Sequence, residues 1–256
     1  MKGLIKFLLL RFLSVNLFRV YFFKLIQFIL RNYQEDSSNW YELSTIKRIG
    51  TKEGDFNSKK IVNFLNKNTN LSNSNFLDIG CGDLFIYPDL IKENINQYFG
   101  FDLNNWNLQS GISYLKKKKF DLKNLITEQG NYFDFKNVKN NEIDIAFSQA
   151  VCSHLTINSL IVMFKNLKPK MKKDGILLSS FIINSNDNSL EDKKIFWEKT
   201  NKFNNKPHNV TSFFLKDPYH YNFNTILKIA DMCGWELYDI KDYDHDLQKM
   251  LFFKLK

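Results

Sequence analysis

Two short apolar runs that each end near an acidic residue carry the strongest chemical signal in the sequence. The first contains Asp78 and breaks at once into two glycines, Gly80 and Gly82, and the second ends at Asp102. A glycine that follows a buried strand tolerates a positive φ and lets another molecule approach the backbone closely. In an open α/β sheet, ligands bind outside the carboxyl ends of the strands, where a carboxylate can accept hydrogen bonds from ribose hydroxyls. The pattern therefore predicts a nucleotide-containing ligand held across the ends of two neighbouring strands.

The residues around the two glycines distinguish two kinds of nucleotide site. A dinucleotide fingerprint G-x-G-x-x-G needs a glycine at position 85, where the sequence has Phe85. The segment Leu77–Gly82, with the sequence LDIGCG, instead resembles motif I of the class I S-adenosylmethionine-dependent methyltransferases. It departs from the family at Leu84, where most members have a third glycine, so this loop must carry a side chain there. An ordinary strand, turn and helix without a ligand is the alternative interpretation of the same residues.

Later segments resemble the remaining family motifs in the same order along the chain. Residues 142–155 are similar to the fourth motif of the family, and residues 172–181 are similar to the segment that closes its core. The resemblance covers roughly residues 58–256. This collinear order is more specific than any single motif.

The resemblance implies an α/β, Rossmann-like class I methyltransferase fold with a seven-stranded, mostly parallel sheet and an antiparallel last strand. Apolar patterns predict strands at about 75–79, 98–102, 142–148, 172–181, 235–240 and 250–254, with a weak strand ending before Gly130. Helical patterns cover about 59–66, 108–118, 160–167 and 223–233. Residues 184–222 lack regular periodicity and are predicted to form a lid, because a loop this long inside a compact domain is usually functional.

The chain divides into three predicted regions. Residues 1–31 form a basic amphipathic helix, residues 32–57 a linker and cap, and residues 58–256 the methyltransferase domain with the lid at about 184–222. Much of the net charge of +9 comes from the first region, which contains no acid and six cations: Lys2, Lys6, Arg11, Arg19, Lys24 and Arg31. Its longest uncharged stretch, Phe12–Phe18, is far shorter than the ~20 residues that span a bilayer, and no signal-peptide pattern is evident.

The basic apolar helix is typical of a segment that lies on a membrane surface. We therefore expect a cytoplasmic protein, peripheral on the inner face of the membrane and bound to anionic lipid through residues 1–31. The alternatives are a helix that packs on the domain or that pairs with a second subunit in a homodimer. Nucleic acid is a disfavoured partner, and an RNA methyltransferase a disfavoured function, because the rest of the chain is nearly neutral.

The cysteine pattern bears on metal binding and compartment. Cys81, Cys152 and Cys233 are far apart and form no C-x-x-C motif. This pattern favours a reducing compartment and argues against a disulfide framework or a zinc site. We expect no metal.

The resemblance implies S-adenosylmethionine as the cofactor and assigns residues to each part of it. The methionine end is assigned to Asp78, Gly80, Cys81 and Gly82, and the ribose to Asp102. The adenine is assigned to Asn131 and Tyr132, and the sulfonium to Ser148 and Gln149. The family usually has an acid where this chain has Asn131, whose amide oxygen can still accept a hydrogen bond from the adenine amino group. Asp134 is the alternative acceptor.

A hydroxyl acceptor would need a base with a pKa near neutrality to remove its proton. His154, just past the fourth strand, and His220, within the segment Asp217–Tyr221, are the catalytic candidates. A capping or packing role is the alternative for His154, and His245, between the last two strands, is predicted to be structural. The substrate-binding candidates are Tyr219 and Tyr221, whose rings could stack on a sugar, and His208.

These inferences favour O-methylation of a sugar, glycolipid or polysaccharide precursor at the cytoplasmic face of the membrane. The aromatic segment around His220 supports a glycan acceptor by analogy only. Methylation of a quinone or another lipid is the alternative within the same chemistry. A non-catalytic scaffold is the alternative from another class; it is favoured by Leu84 and opposed by the two glycines and Asp102.

Overall fold

The computed structural model describes residues 47–130, 132–184, 195–200, 207–212, 219–243 and 248–256, with only the backbone described for 184, 195–200 and 207–212. The predictions for residues 1–31 and for most of the linker at 32–57 lie outside this part of the chain. No helix within the described ranges is long and apolar enough to cross a membrane.

Eleven strands and five α-helices build the described chain. The strands are β1 (Asn75–Ile79), β2 (Gln97–Asp102), β3 (Leu125–Gln129), β4 (Ile143–Ser148), β5 (Met171–Phe181), β6 (Ile183–Asn184), β7 (Ile195–Thr200), β8 (Pro207–Ser212), β9 (Tyr221–Asn222), β10 (Trp235–Asp242) and β11 (Lys249–Leu255). The helices are α1 (Lys52–Asn68), α2 (Tyr87–Leu90), α3 (Asn105–Lys117), α4 (Ile157–Leu167) and α5 (Phe223–Met232). Short 3-10 turns cover Ile91–Glu93, Cys152–His154 and Lys168–Lys170.

Seven of the strands form one sheet in the order β10-β11-β5-β4-β1-β2-β3. The strands from β5 to β3 run parallel, and β11 is antiparallel to both of its neighbours. This confirms the predicted fold. Because the parallel strands share a direction, the turns after β1, β2, β4 and β5 meet at one edge of the sheet.

The alternation of side chains along β1 divides the core into two layers. Leu77 and Ile79 point to the face covered by α4 and α5, whereas Phe76 points to the face covered by α1, α2 and α3. Successive residues of a strand face opposite sides of a sheet, so Asp78 lies on the same face as Phe76. An acid is thus placed beneath the three-helix layer, where it is only 5% exposed.

Local caps explain where the helices begin. Thr51 accepts a hydrogen bond from the backbone N–H of Gly54 (2.9 Å), and α1 therefore begins at Lys52, seven residues before the start of the predicted helix. Asn104 caps α3 in the same way, and Thr156 caps α4. The segment between β3 and β4 forms turns across residues 132–142, and Phe133 and Phe135 fill the space against Phe101.

The predicted lid contains regular structure within its described residues. β6 pairs with β9 in parallel, with Ile183 opposite Tyr221, and β7 pairs with β8 as an antiparallel hairpin. The prediction of an irregular segment after β5 is therefore wrong for these strands. Their sequences alternate too weakly to show as strands.

Candidate active site

The turn after β1 is held by backbone hydrogen bonds to β2. Gly80 has φ +76° and its N–H donates to the carbonyl of Phe101 (2.7 Å), and a Cβ on Gly80 would lie 2.3 Å from a methyl group of Val151. Gly82 has φ +56°, and a Cβ there would meet nothing within 4 Å. Gly80 is thus required by packing, whereas Gly82 leaves open space at the edge of the sheet where ligands bind.

Leu84 adopts a backbone conformation that favours glycine, the residue usual at this place in the family pattern. Its φ is +62°, and its side chain is fully buried in the core. Leu84 and Cys81 pack around Gly100, where an added Cβ would lie 2.9 Å from Leu84 Cδ2 and 3.0 Å from Cys81 Sγ. Both side chains turn into the core, so neither fills the open space beside Gly82.

Asp102, at the end of β2, is tied to the turn after β1. Its Oδ2 accepts from the backbone N–H of Gly82 (2.8 Å) and its Oδ1 from that of Asn104 (2.7 Å). A carboxylate offers about four acceptor sites, so Asp102 can still accept hydrogen bonds from the hydroxyls of a ligand. Burial is the main cause that raises the pKa of Asp102, and the two backbone donors oppose it.

Asp78 lies beneath the same turn and bonds to β2 through a side chain. Tyr98 donates its hydroxyl to Asp78 Oδ2 at 2.5 Å. Burial raises the pKa of Asp78 to about 7, the Tyr98 hydrogen bond lowers it, and the nearby Asp102 adds to the rise. Tyr98 was not among the predicted site residues, since nothing in the sequence shows which hydroxyl meets which carboxylate.

Asp83 is a second site residue that the sequence did not reveal. Its Oδ2 accepts from the backbone N–H groups of Arg48 (2.5 Å) and Ile49 (2.8 Å), so it ties the segment before α1 to the cofactor turn. Gly111 of α3 lies against the same turn, where a Cβ would be 2.3 Å from the Asp83 carbonyl oxygen. These partners are at least 28 residues away in the chain, and no local motif connects them.

In the segment after β3, the acid Asp134 is a better candidate for contact with a ligand than the predicted aromatic residue Tyr132. Tyr132 is 76% exposed, and Asn131 lies outside the described residues. Asp134 forms an ion pair through Oδ2 with Lys136 (2.8 Å), which lowers the pKa of Asp134. Its Oδ1 is buried and accepts no hydrogen bond from the described residues.

The turn after β4 is built from buried hydroxyls, a thiol and an amide. The Ser148 hydroxyl is fully buried and lies 3.8 Å from Cys152 Sγ, which in turn lies 3.1 Å from Ser179 Oγ. Burial raises the pKa of Cys152 to about 11, so the thiol stays protonated. Ser148 therefore contacts protein, and the half-buried Gln149 is left as the predicted sulfonium neighbour with exposed surface.

Ala150 has φ +54°, a strained value for a residue other than glycine. Its N–H donates to Ser180 Oγ (2.7 Å), and Gln248 Oε1 accepts from both the Ser180 hydroxyl (2.7 Å) and the Tyr243 hydroxyl (2.9 Å). Strained backbone of this kind concentrates at functional sites. The network therefore holds Gln149 and Ala150 in place through Ser180 of β5, Tyr243 just after β10 and Gln248 just before β11.

The two catalytic candidates belong to segments that are hydrogen-bonded to each other. The backbone N–H of Tyr219 donates to the carbonyl of Ser153 (2.6 Å), which places the residues before β9 beside the turn that carries His154. His220 is 2% exposed, and burial lowers its pKa, so the imidazole is neutral at pH 7. His154 is half-buried.

The substrate-binding candidates differ in their surroundings. Tyr221 is 5% exposed, packs edge-on against Phe181 and donates its hydroxyl to the Leu155 carbonyl, so its ring belongs to the core. Tyr219 is half-buried beside it, with ring centroids 6.3 Å apart. His208 lies in β8, where only the backbone is described.

Together these residues fit a cofactor with an amino acid end, a ribose and an adenine. The fit rests on the open space beside Gly82, the carboxylates of Asp78 and Asp102 at the ends of neighbouring strands, and the uncompensated Oδ1 of Asp134. Within the described residues, no group of three or more His, Cys, Asp or Glu side chains could hold a metal ion.

Comparison with known proteins identifies both a family and a set of similar structures. Residues 70–230, more than half of the chain, match the family described as a methyltransferase domain. A comparison with curated proteins finds no match.

Similar structures include a protein of Pyrococcus horikoshii OT3 (TM-score 0.61, 14% identity, 85% of this chain and 98% of that chain covered). They also include S-adenosylmethionine-dependent methyltransferases from Clostridium acetobutylicum (TM-score 0.55, 13% identity, 77% and 90% covered) and Aquifex aeolicus (TM-score 0.55, 15% identity, 81% and 94% covered). Identities this low support a shared fold.

Proposed function

The chain belongs to the methyltransferase-domain family, and from this premise we propose that it methylates a hydroxyl oxygen of a sugar, glycolipid or polysaccharide precursor, using S-adenosylmethionine. The assignment of this cofactor rests on the arrangement of Asp78 and Asp102 around the open turn at Gly82. When bound, S-adenosylmethionine supplies an electrophilic methyl group on a sulfonium. The protein's main contribution to such a transfer is to align the acceptor with that methyl group.

Each carboxylate has a part of the cofactor that suits it. Asp78 would attract the ammonium of the methionine end, Asp102 would accept hydrogen bonds from the ribose, and Asp134 Oδ1 would accept one from the adenine amino group. Leu84 does not oppose this assignment, because its side chain is buried away from the open space beside Gly82. The feature that favoured a non-catalytic scaffold is therefore accommodated by the fold.

An oxygen acceptor is favoured by the histidines and hydroxyls on the other side of the site. A hydroxyl must lose its proton as the new C–O bond forms, and a neutral imidazole can take that proton. His220 is neutral at pH 7 because it is buried, and Tyr219 connects its segment to the turn of His154. The half-buried Tyr219 and Gln149 offer a ring face and an amide to a sugar. Quinones and other lipids remain the alternative acceptors.

The proposal includes a place for the enzyme at the cytoplasmic face of the membrane, held by residues 1–31. Its support is compositional: six cations, no acid and many apolar residues in that segment. A basic residue near an anionic leaflet contributes about 1 kcal/mol of attraction.

Calorimetry with the purified protein tests the cofactor. We expect S-adenosylhomocysteine to bind with a Kd in the micromolar range, or about −8 kcal/mol. Absence of binding would refute the cofactor assignment and favour the scaffold. A methyl-labelled cofactor incubated with crude lipid and polysaccharide fractions then tests the acceptor: label in the lipid fraction with no sugar attached would favour the quinone or lipid alternative.

Charge reversal tests the membrane assignment on the full chain. The triple variant K2E, K6E and K24E should bind vesicles with anionic lipid far more weakly than the wild type. The matched control K116E, K117E and K118E changes the charge equally at the exposed end of α3 and should bind as the wild type does. Equal binding by both variants would refute attachment through residues 1–31.

A further inference from the structure

Tyr98 is the second residue of the buried strand β2. It is fully buried, its ring stacks on Phe76 (centroids 6.0 Å apart, 17° between planes) and meets Tyr87 edge-on (5.2 Å, 78°). Its hydroxyl is thereby held at Asp78 Oδ2, 2.5 Å away. The packing of its ring thus holds this hydroxyl against the Asp78 carboxylate.

The electrostatic surroundings of Asp78 contain no compensating cation among the groups that act on it. Those groups are Tyr98 and Cys81, both protonated, and Asp102, which repels a second negative charge. Tyr87 acts on Tyr98, Asp83 acts on Cys81 and Asp102, and the cation Arg48 acts on Asp83. The Tyr98 hydroxyl is therefore the side-chain donor that stabilises the ionised form of Asp78.

We propose that Tyr98 is a positioning residue for the cofactor: its hydroxyl orients the Asp78 carboxylate and, by stabilising its ionised form, sets the pH range in which cofactor binding expels a proton from the buried Asp78. The inference rests on the proposed function, because it assigns the cofactor's ammonium to Asp78. The released proton passes to solvent, and no covalent bond changes.

The direction in which cofactor affinity changes with pH follows from the burial of Asp78. In the ligand-free protein the pKa of Asp78 is raised to about 7, so the carboxyl is partly protonated at neutral pH. A bound ammonium favours the carboxylate, lowers that pKa and expels the proton. Affinity should therefore rise with pH and level off above about pH 7. Removing the Tyr98 hydroxyl takes away a donor to the carboxylate, so the pKa of Asp78 rises and the levelling-off moves to higher pH.

Calorimetric titration with S-adenosylhomocysteine from about pH 5.5 to 8.5 tests this in three proteins: the wild type, Tyr98→Phe and Tyr87→Phe. Tyr87 is the matched control, because it is an equally buried tyrosine whose hydroxyl bonds to the Asp121 carbonyl (2.8 Å) instead. At about pH 7 the Tyr98→Phe variant should bind roughly tenfold more weakly than the wild type, with the gap closing to about threefold at about pH 8.5. Tyr87→Phe should keep the wild-type pH profile.

Proton release by the wild type is a second readout that does not depend on how the variants fold. Binding measured near pH 6.5 in buffers of different ionisation enthalpy should release a fraction of a proton, and binding near pH 8.5 should release almost none from this site. Failure of the wild type to bind at any pH would overturn the cofactor assignment and this inference together. Binding without proton release, or with the same pH profile in Tyr98→Phe, would overturn this inference alone.

Discussion

The two sides of the candidate site, the side proposed for the cofactor and the side proposed for the acceptor, are held together in different ways. On the cofactor side, the turns after β1 and β2 bond to each other through Gly82 and Asp102, 20 residues apart. On the acceptor side, Ala150 is held by Ser180, and Ser180 bonds to Gln248, 68 residues further along the chain. The Gly82–Asp102 bond thus bridges a short stretch of chain, whereas the bonds of Ala150 and Ser180 require β5 and the segment before β11 to come together. An invariant ligand suits the first arrangement and a variable one the second.

Leu84 on the cofactor side and Ala150 on the acceptor side are residues other than glycine at positive φ, as are Phe133 and Phe135 beside Asp134. Leu84 (φ +62°) is held by burial of its side chain, and Ala150 (φ +54°) by the hydrogen bond from its N–H to Ser180. Packing thus stabilises the strained backbone of Leu84 on the cofactor side, and a polar network stabilises that of Ala150 on the acceptor side. Substitutions should therefore affect stability and cofactor affinity on the first side, and turnover on the second.

The histidines give the sharpest test of this division. We expect His220→Ala, His154→Ala or both to lower turnover by about 10²–10⁴-fold, because a base is lost. Affinity for S-adenosylhomocysteine should stay within about twofold in each. Since burial lowers the pKa of His220, wild-type turnover at saturating cofactor should fall only below about pH 6.5, where a histidine base takes up a proton. His245→Ala is the control and should change neither quantity; full activity in both test variants would show that no histidine base is used.

Asp78→Asn tests the cofactor side through stability. The pKa of Asp78 is about 7 in the folded protein against 3.8 for a free carboxyl, so the folded form binds the proton more tightly. The free energy of unfolding therefore falls as the pH rises from about 4 to about 7, and the variant, which has no carboxyl to ionise, escapes this loss. At about pH 8 it should be more stable by up to about 4 kcal/mol.

Urea unfolding of the ligand-free proteins near pH 4 and pH 8 measures the Asp78 effect. The two proteins should differ little at the lower pH, where the carboxyl is protonated. Cofactor affinity should fall in the same variant. A variant less stable than the wild type at the higher pH would show that the carboxylate contributes to the fold.

Leu84→Gly tests whether the loop would gain from the glycine usual in the family. Relief of positive φ is worth about 1–2 kcal/mol, but loss of a buried leucine costs about 2–5 kcal/mol. We expect a net loss of about 2–3 kcal/mol in urea unfolding. Ala150→Gly is the matched change on the acceptor side and should alter stability by less than about 1 kcal/mol, because little side chain is lost. A stabilised Leu84→Gly would mean that strain outweighs burial in this turn.

Asp102→Ala should have the smallest effect on the reaction, through cofactor affinity, and should also lower stability because the Gly82 and Asn104 N–H groups lose their acceptor. Loss of a charged acceptor for the ribose should weaken S-adenosylhomocysteine binding by about 1–3 kcal/mol in calorimetry. Turnover at saturating cofactor should change little. Asp121→Ala removes an exposed carboxylate before β3 and should leave the affinity unchanged. Equal effects of the two substitutions would exclude a specific role for Asp102.

The sheet was largely predictable because its signals are local. Each central strand is a short apolar run, and the pair Trp235–Asp242 and Lys249–Leu255 forms the predicted antiparallel end of the sheet. Helix α1 was predicted too short because its first turn, from Lys52 to Asp55, is polar and shows no apolar periodicity. Only the cap at Thr51 marks the true start.

The contacts within the site were much less predictable than the elements that carry them. The glycines and acids of the cofactor turn follow from local sequence, but Asp78–Tyr98 and Asp83–Arg48 depend on how strands and segments meet. Turns have no periodicity, so the sequence could not show that Tyr132 lies on the surface while Phe133 packs on Phe101. The site residues remain predictions to be tested by the substitutions above.

The contacts on either side of His220 fix its position whatever the length of the chain segment that leads to it. The backbone leaves at Asn184 and returns at Tyr221, where β6 and β9 pair and Tyr219 bonds to Ser153. The entropy of closing such a loop grows only with the logarithm of its length, and doubling it costs about 0.6 kcal/mol. Insertions and deletions between these points can therefore diversify acceptor preference during evolution without displacing the histidine. The cofactor turn cannot vary in this way, because even a methyl group on Gly80 would collide with Val151.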